Sequence, residues 1–207
     1  MTATDAMVYI VDDDDALRSA LHSLLRSIGL QAEAFDSVPA FLAHPRAACA
    51  SCLLLDVRLR GSSGLDFQAE LNRQGATLPI VFMTGHGDIP MSVRAMKAGA
   101  VDFLAKPFRE QDLLDAVTAA LETDRKRRSQ DEAGAELQRR YGTLTPRERE
   151  IMALAARGLM NKQIAGEVGT SEITVKIHRG NAMKKMQART FADLVRMAEA
   201  LGVTATS

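Results

Sequence analysis

The chain has 207 residues, 46% hydrophobic and 25% charged, enough for one substantial core or two small ones. Its zero net charge hides a split: up to Asp124 there are 10 Lys and Arg against 17 Asp and Glu, and beyond it 16 against 9. An acidic module is joined to a basic one suited to a polyanion. No apolar run reaches the roughly 18 to 20 residues that span a bilayer.

The N-terminal "MTATDAMVYI" has neither a basic region nor a cleavage site, so the expected location is the cytoplasm. The run "MVYIV" at 7–11 is apolar and rich in β-branched residues, which predicts a strand buried on both faces. It runs into four carboxylates, Asp12 to Asp15, and then Leu17, Leu21, Leu24, Leu25 and Ile28 at helical spacing. Asp14 or Asp15 suits the helix cap, which leaves Asp12 and Asp13 without an ordinary structural duty.

Four more strand-like runs follow at near-regular intervals: "QAEAF" at 31–35, "CLLLD" at 52–56, "LPIVFM" at 78–83 and "VDFLA" at 101–105, each followed by a helical segment. This alternation predicts an α/β doubly wound, five-stranded parallel sheet. Chemistry in such sheets gathers beyond the carboxyl ends of the strands. The spacing Cys49-x-x-Cys52 suggests redox chemistry or zinc, but Cys52 opens a strand and only His44 is near, so both thiols are read as small buried hydrophobes.

A helix begins near Arg109 with the stripe Leu113, Leu114, Val117 and Leu121. The stripe fails in the charged "TDRKRRSQDEAGAELQRR", so the chain is divided into a domain at 1–121, a partly helical linker at 122–142 and a domain at 143–207. In the last segment Thr145-Pro146-Arg147-Glu148 predicts a capped helix start and Gly158 a stop. Two further short helices meet at Gly169, with Ser171 as a cap, and a last helix is capped by Thr190; this is an all-α helix-turn-helix pattern.

With the sheet ordered 2-1-3-4-5, the first, third, fourth and fifth strands are neighbours. Their ends deliver Asp12 and Asp13, then Asp56, then Thr84, then Lys106 followed by Pro107. Carboxylates about 5 Å apart repel by roughly 3 kcal/mol per pair at an effective dielectric near 20. An oxygen-only cluster suits a hard cation such as Mg²⁺. Beside Mg²⁺, a lysine and a hydroxyl, Asp56 fits acyl-phosphate chemistry, attacking phosphorus while the cations neutralise the phosphoryl oxygens.

The segments "VYIVDDDDALR", "LLLDVRLRGSSGLDF" and "PIVFMTGHGDIPMSVRAMKAGAVDFLAKPF" resemble a response-regulator receiver domain, and "GLMNKQIAGEVGTSEITVKIHR" resembles a LuxR-type helix-turn-helix. The whole chain is similar to the FixJ branch of two-component regulators. That resemblance implies that Asp56 accepts phosphate from a sensor histidine kinase. It implies Mg²⁺ ligation by Asp13, Asp56 and the backbone carbonyl of Arg58, with Asp12 acting through water. Thr84 and Lys106 would bind phosphoryl oxygens, Phe103 would change rotamer as Thr84 moves, and the Lys106–Pro107 bond would be cis. Relatives usually have Met-Pro where this chain has Leu59-Arg60. His86 reads as a signalling-loop residue and His22 as a helix residue without special duty.

In the C-terminal module the resemblance makes Glu172–Met186 the recognition helix. Helical angles send Val175, Ala182 and Met186 to the core and place Lys176, Ile177, Gly180 and Lys184 on the opposite face. Lys176 suits a guanine edge and Ile177 a thymine methyl. Thr174, Lys184 and Lys185 suit phosphate contact. Gly180 departs from relatives with a longer side chain. On the last helix, Phe191, Leu194, Val195 and Ala198 suit either dimerisation or packing within the domain.

The implied function is phosphorylation-dependent transcriptional regulation, without enzyme activity beyond the receiver's own phosphotransfer and dephosphorylation. Its partners would be the kinase, double-stranded promoter DNA, RNA polymerase and a second copy of the chain, with no membrane. Two rivals stay open: Asp12-x-Asp14 resembles the motif of aspartate-dependent phosphohydrolases, though Ala16 stands where they carry Thr or Val, and the other rival makes the front half a small-molecule sensor, against which stands its poverty in aromatic residues.

Overall fold

The computed structural model describes residues 6–59, 62–85 and 89–203. The chain forms two compact units, one ending at Arg128 and the other beginning at Ser129.

In the first unit the sheet strands are β1 (Ala6–Val11), β2 (Gln31–Phe35), β3 (Ala50–Asp56), β4 (Ile80–Thr84) and β5 (Asp102–Ala105). All pair in parallel, as the strand–helix alternation predicts, and their order is β2-β1-β3-β4-β5, the one assumed for the sheet. A short antiparallel ribbon, Arg58–Leu59 with Ser62–Ser63, lies outside this sheet.

Strand side chains alternate between two cores. Tyr9, Val11, Leu53, Leu55 and Phe82 pack with residues of α2 (Val38–Ala43), α3 (Gly64–Arg73) and α4 (Ile89–Lys97). Val8, Ile10, Leu54, Val81 and Met83 pack with α1 (Asp15–Ser27) and α5 (Glu110–Gly142). Asp14 caps α1, accepting hydrogen bonds from the Ala16 and Leu17 amides. Cys49 packs into the first of these cores and Cys52 into the second, on opposite faces of the sheet. Both thiols are free, and burial pushes that of Cys52 up to about 12.

Residues 122–142, expected to be helical only in part, are helical throughout, and α5 runs for 33 residues. Its apolar stripe does fail, but polar contacts take over. Asp124, 1% exposed, accepts hydrogen bonds from Arg127, Arg128 and the Ser51 amide, the last at 2.9 Å across 73 positions of sequence. Arg128 also reaches the Ala48 carbonyl at 3.2 Å. Further along, Glu136 pairs with Arg139 and Arg140. Such pairs at i,i+3 and i,i+4 support a helix where burial does not.

The second unit contains α6 (Pro146–Ala156), α7 (Asn161–Glu167), α8 (Glu172–Met186) and α9 (Phe191–Ala200). Thr145 and Glu148 form the expected capping box, Ser171 caps α8 and Thr190 caps α9. Gly169, between α7 and α8, has a φ of +66°, which glycine adopts without a Cβ clash. Val175, Ala182 and Met186 are buried, as the helical angles predict. Leu194 and Ala198 are buried within this unit, so its own packing accounts for that part of the α9 stripe. Among the described residues no helix is long and apolar enough to cross a membrane.

Candidate functional site

The sheet order brings the ends of β1, β3, β4 and β5 side by side. Asp12 and Asp13 leave β1, Asp56 ends β3, Thr84 ends β4, and Lys106 follows β5. The backbone fixes the rim: the Lys106 amide donates to the Thr84 carbonyl at 2.7 Å, and the Val57 amide to Met83 at 3.0 Å.

Carboxylate oxygens of Asp12, Asp13 and Asp56 lie within 4.8 Å of one another. Asp12 and Thr84 are fully buried and Asp56 nearly so. The Lys106 ammonium donates to Asp12 and to Asp56, 2.6 Å from an oxygen of each. Each carboxylate is also held by a backbone amide, Asp12 by that of Asp14 and Asp56 by that of Arg58, both at 2.9 Å. These bonds aim the oxygens at a common point.

Burial pushes the Asp12 carboxyl above the usual carboxylate range, although the Lys106 ammonium and the Asp14 amide act to hold it down. For Lys106, burial draws the ammonium down, but its hydrogen bonds to Asp12 and Asp56 outweigh this and leave it above the usual lysine value. Lys106 bonds Asp12 and Asp56 of the three carboxylates. The donors are all carboxylate oxygens, with no sulfur or imidazole, so the set fits a hard divalent cation.

Phe103 is half-buried on β5, its ring 6.4 Å from that of Phe82. The Lys106–Pro107 bond is cis. Arg58 opens the short ribbon, and its side chain is exposed. Arg60, in the Leu59-Arg60 departure, and His86 lie outside the described residues. His22 sits on α1, half-buried.

Sequence reasoning passed over Gly64. A Cβ there would stand 2.4 Å from the Asp56 carbonyl oxygen, and the Gly64 amide donates to Val57 at 2.9 Å. The glycine lets α3 start against the end of β3. Gly64→Ala is expected to displace the Asp56 backbone and cost about 1–3 kcal/mol, read as a lower urea midpoint. An unchanged midpoint would show that the turn yields freely.

In the second unit Lys176, Ile177, Gly180 and Lys184 are exposed on α8, opposite its buried residues. Two residues expected to meet phosphate are otherwise engaged. Lys185 donates to the buried Glu148 at 2.6 Å, and the Thr174 hydroxyl lies 2.9 Å from that of Ser171 at the helix cap. The two engagements draw on groups that helical angles do not reveal: Glu148 is 37 positions away, and Ser171 is the cap.

A family profile described as the response regulator receiver domain matches residues 8–118. A second, described as bacterial regulatory proteins of the luxR family, matches 142–198. The chain belongs to the response regulators. Like other response regulators that carry a LuxR-type module, it pairs a receiver domain, which implies a histidine kinase upstream, with a DNA-binding domain. It is 57% identical to nodulation protein W of Bradyrhizobium diazoefficiens over 98% of this chain and 89% of that protein. It is 48% identical to the response regulator protein TodT of Pseudomonas putida, covering 97% of this response regulator and 88% of TodT. The solved structure of the response regulator StyR is 48% identical, with a TM-score of 0.85 and coverage of 95% of this chain and 99% of that one.

Proposed function

We propose that this response regulator is switched by phosphorylation of Asp56. The observation that carries this is the Asp12, Asp13 and Asp56 cluster with Lys106 bonded into it. An Asp56 oxygen attacks phosphorus, the bond from phosphorus to the donor's histidine nitrogen breaks, and that nitrogen keeps the electron pair. Asp13, Asp56 and the Arg58 carbonyl would hold Mg²⁺, with Asp12 acting through water. When bound, the ion neutralises charge on the phosphoryl oxygens.

Lys106 is placed to exchange its bond with Asp56 for one with a phosphoryl oxygen, and the Thr84 hydroxyl to bond another. Movement of Thr84 lets Phe103 repack, which changes the surface formed by α4 and β5. Ile89, Val93 and Met96 are exposed on α4 at helical spacing, an apolar stripe suited to a second copy of the chain. The dimer would present two copies of α8 to a two-fold promoter site, with RNA polymerase as the downstream partner. Lys176 and Ile177 would contact bases and Lys184 phosphate. The division into receiver 1–121, linker 122–142 and effector 143–207 is part of this proposal, as is a cytoplasmic location beside promoter DNA.

Incubation with a small phosphodonor and Mg²⁺ is expected to label the wild-type chain stoichiometrically, and Asp56→Asn to lose the label entirely. Labelling retained in that variant would refute the assignment.

A further inference from the structure

The exposed face of α8 carries more than its lysines. Ile173 is 74% exposed and Ile177 is 57% exposed. At 100° per residue both point away from the buried Val175, Ala182 and Met186, and Ile173 lies as near the centre of the open face as Ile177 does. Gly180 extends the same ridge by one turn. A Cβ built there meets nothing within 4 Å, so packing within the chain gives no reason for glycine, which weakens a helix interior relative to alanine. Lys184 continues the line of the ridge toward the helix C-terminus, and Lys176 lies to one side of it; both are exposed.

We infer that α8 reads its duplex through thymine methyl groups, Ile173 and Ile177 each resting on one, while Gly180 lets the helix backbone come closer to the base edges than a side chain would allow. The C5 methyl of thymine is the apolar feature a major groove presents. Two isoleucines meeting two methyls release water from both surfaces, which an exposed apolar ridge in the free protein cannot do. Lys184 complements a phosphate and Lys176 a guanine edge, so the occupant of this apolar face is DNA. Four residues advance a helix by about 6 Å, about two base steps of duplex. The two thymines therefore lie within about two steps of each other. The inference rests on α8 being the recognition helix.

The full chain, treated with a small phosphodonor and Mg²⁺, selects duplexes from a random pool. Each thymine of the selected site is then replaced singly by deoxyuridine, which lacks only the methyl. Two positions are expected at which the replacement weakens wild-type binding about three- to fivefold. Ile173→Ala should abolish that sensitivity at one position and Ile177→Ala at the other; both side chains are exposed, so the fold is retained, as circular dichroism will show. Gly180→Ala should raise the melting temperature while weakening binding. Tolerance of deoxyuridine everywhere, or sensitivity unchanged in both isoleucine variants, overturns the inference. If Lys176→Ala then weakens binding, the inference fails alone; if that variant too binds as wild type, the recognition-helix assignment fails with it.

Discussion

Lys106→Met is expected to destabilise the first unit by about 3 kcal/mol at pH 7 without divalent ions, the low end of the range for breaking a buried ion pair. Methionine keeps the length of the side chain but removes a cation bonded to both Asp12 and Asp56. Asp12 is fully buried and cannot turn to solvent for compensation. Hydrogen exchange at the β1 and β3 amides of the full chain measures the loss. Mg²⁺ should recover more stability in this variant than in the wild type, because it restores positive charge to the same oxygens.

The pH dependence has a definite sign. Burial already places the Asp12 carboxyl above its ordinary 3.8 with Lys106 present, and removing the ammonium raises it further. A carboxyl whose folded value exceeds its unfolded value favours the folded state at low pH and loses that advantage as pH rises through the folded value. Lys106→Met should therefore gain stability as pH falls from 7 toward the acid range. Wild-type stability in the variant at pH 7, without metal, would contradict this account of the cluster.

Asp124→Ala is the second large effect, again about 3 kcal/mol on the first unit. The substitution removes the anion bonded by Arg127 and Arg128 and leaves the buried Ser51 amide without its acceptor. Burial acts to raise this carboxyl, but the two guanidiniums and the Ser51 amide outweigh it and hold it below 3.8. A depressed folded value contributes stability that is complete above the unfolded value and is lost as pH falls through the folded one. The gap between wild type and Asp124→Ala should thus stay level from pH 7 to about 5 and close below about 4. Urea unfolding followed by exchange at β3 would show it. A gap that persists unchanged at pH 2 would mean that the cost lies in packing and not in the charge.

Much of the molecule is legible from periodicity and caps. Val8 to Val11 announce a doubly buried strand, Asp14 a cap, and strand ends in a known order predict the meeting of Asp12, Asp56 and Lys106 across 94 positions of sequence. What stays hidden depends on neighbours that no local pattern names. The continuation of α5 rests on a carboxylate that finds Ser51 far away in sequence. Gly64 matters only because α3 begins against the Asp56 carbonyl. Lys185 looks like a phosphate contact until Glu148 is seen beside it. Ile173 shares the open face with Ile177, and its exposure follows from the same helical angles.

The most direct test of the proposed switch is to trap the modified side chain chemically. A chain labelled with phosphodonor and Mg²⁺ is reduced with borohydride, which converts an aspartyl phosphate to homoserine, and the site is read by peptide sequencing. Homoserine at position 56 is the predicted result. Homoserine at position 12, the nucleophile position of the phosphohydrolase reading, or at no aspartate at all, would contradict it.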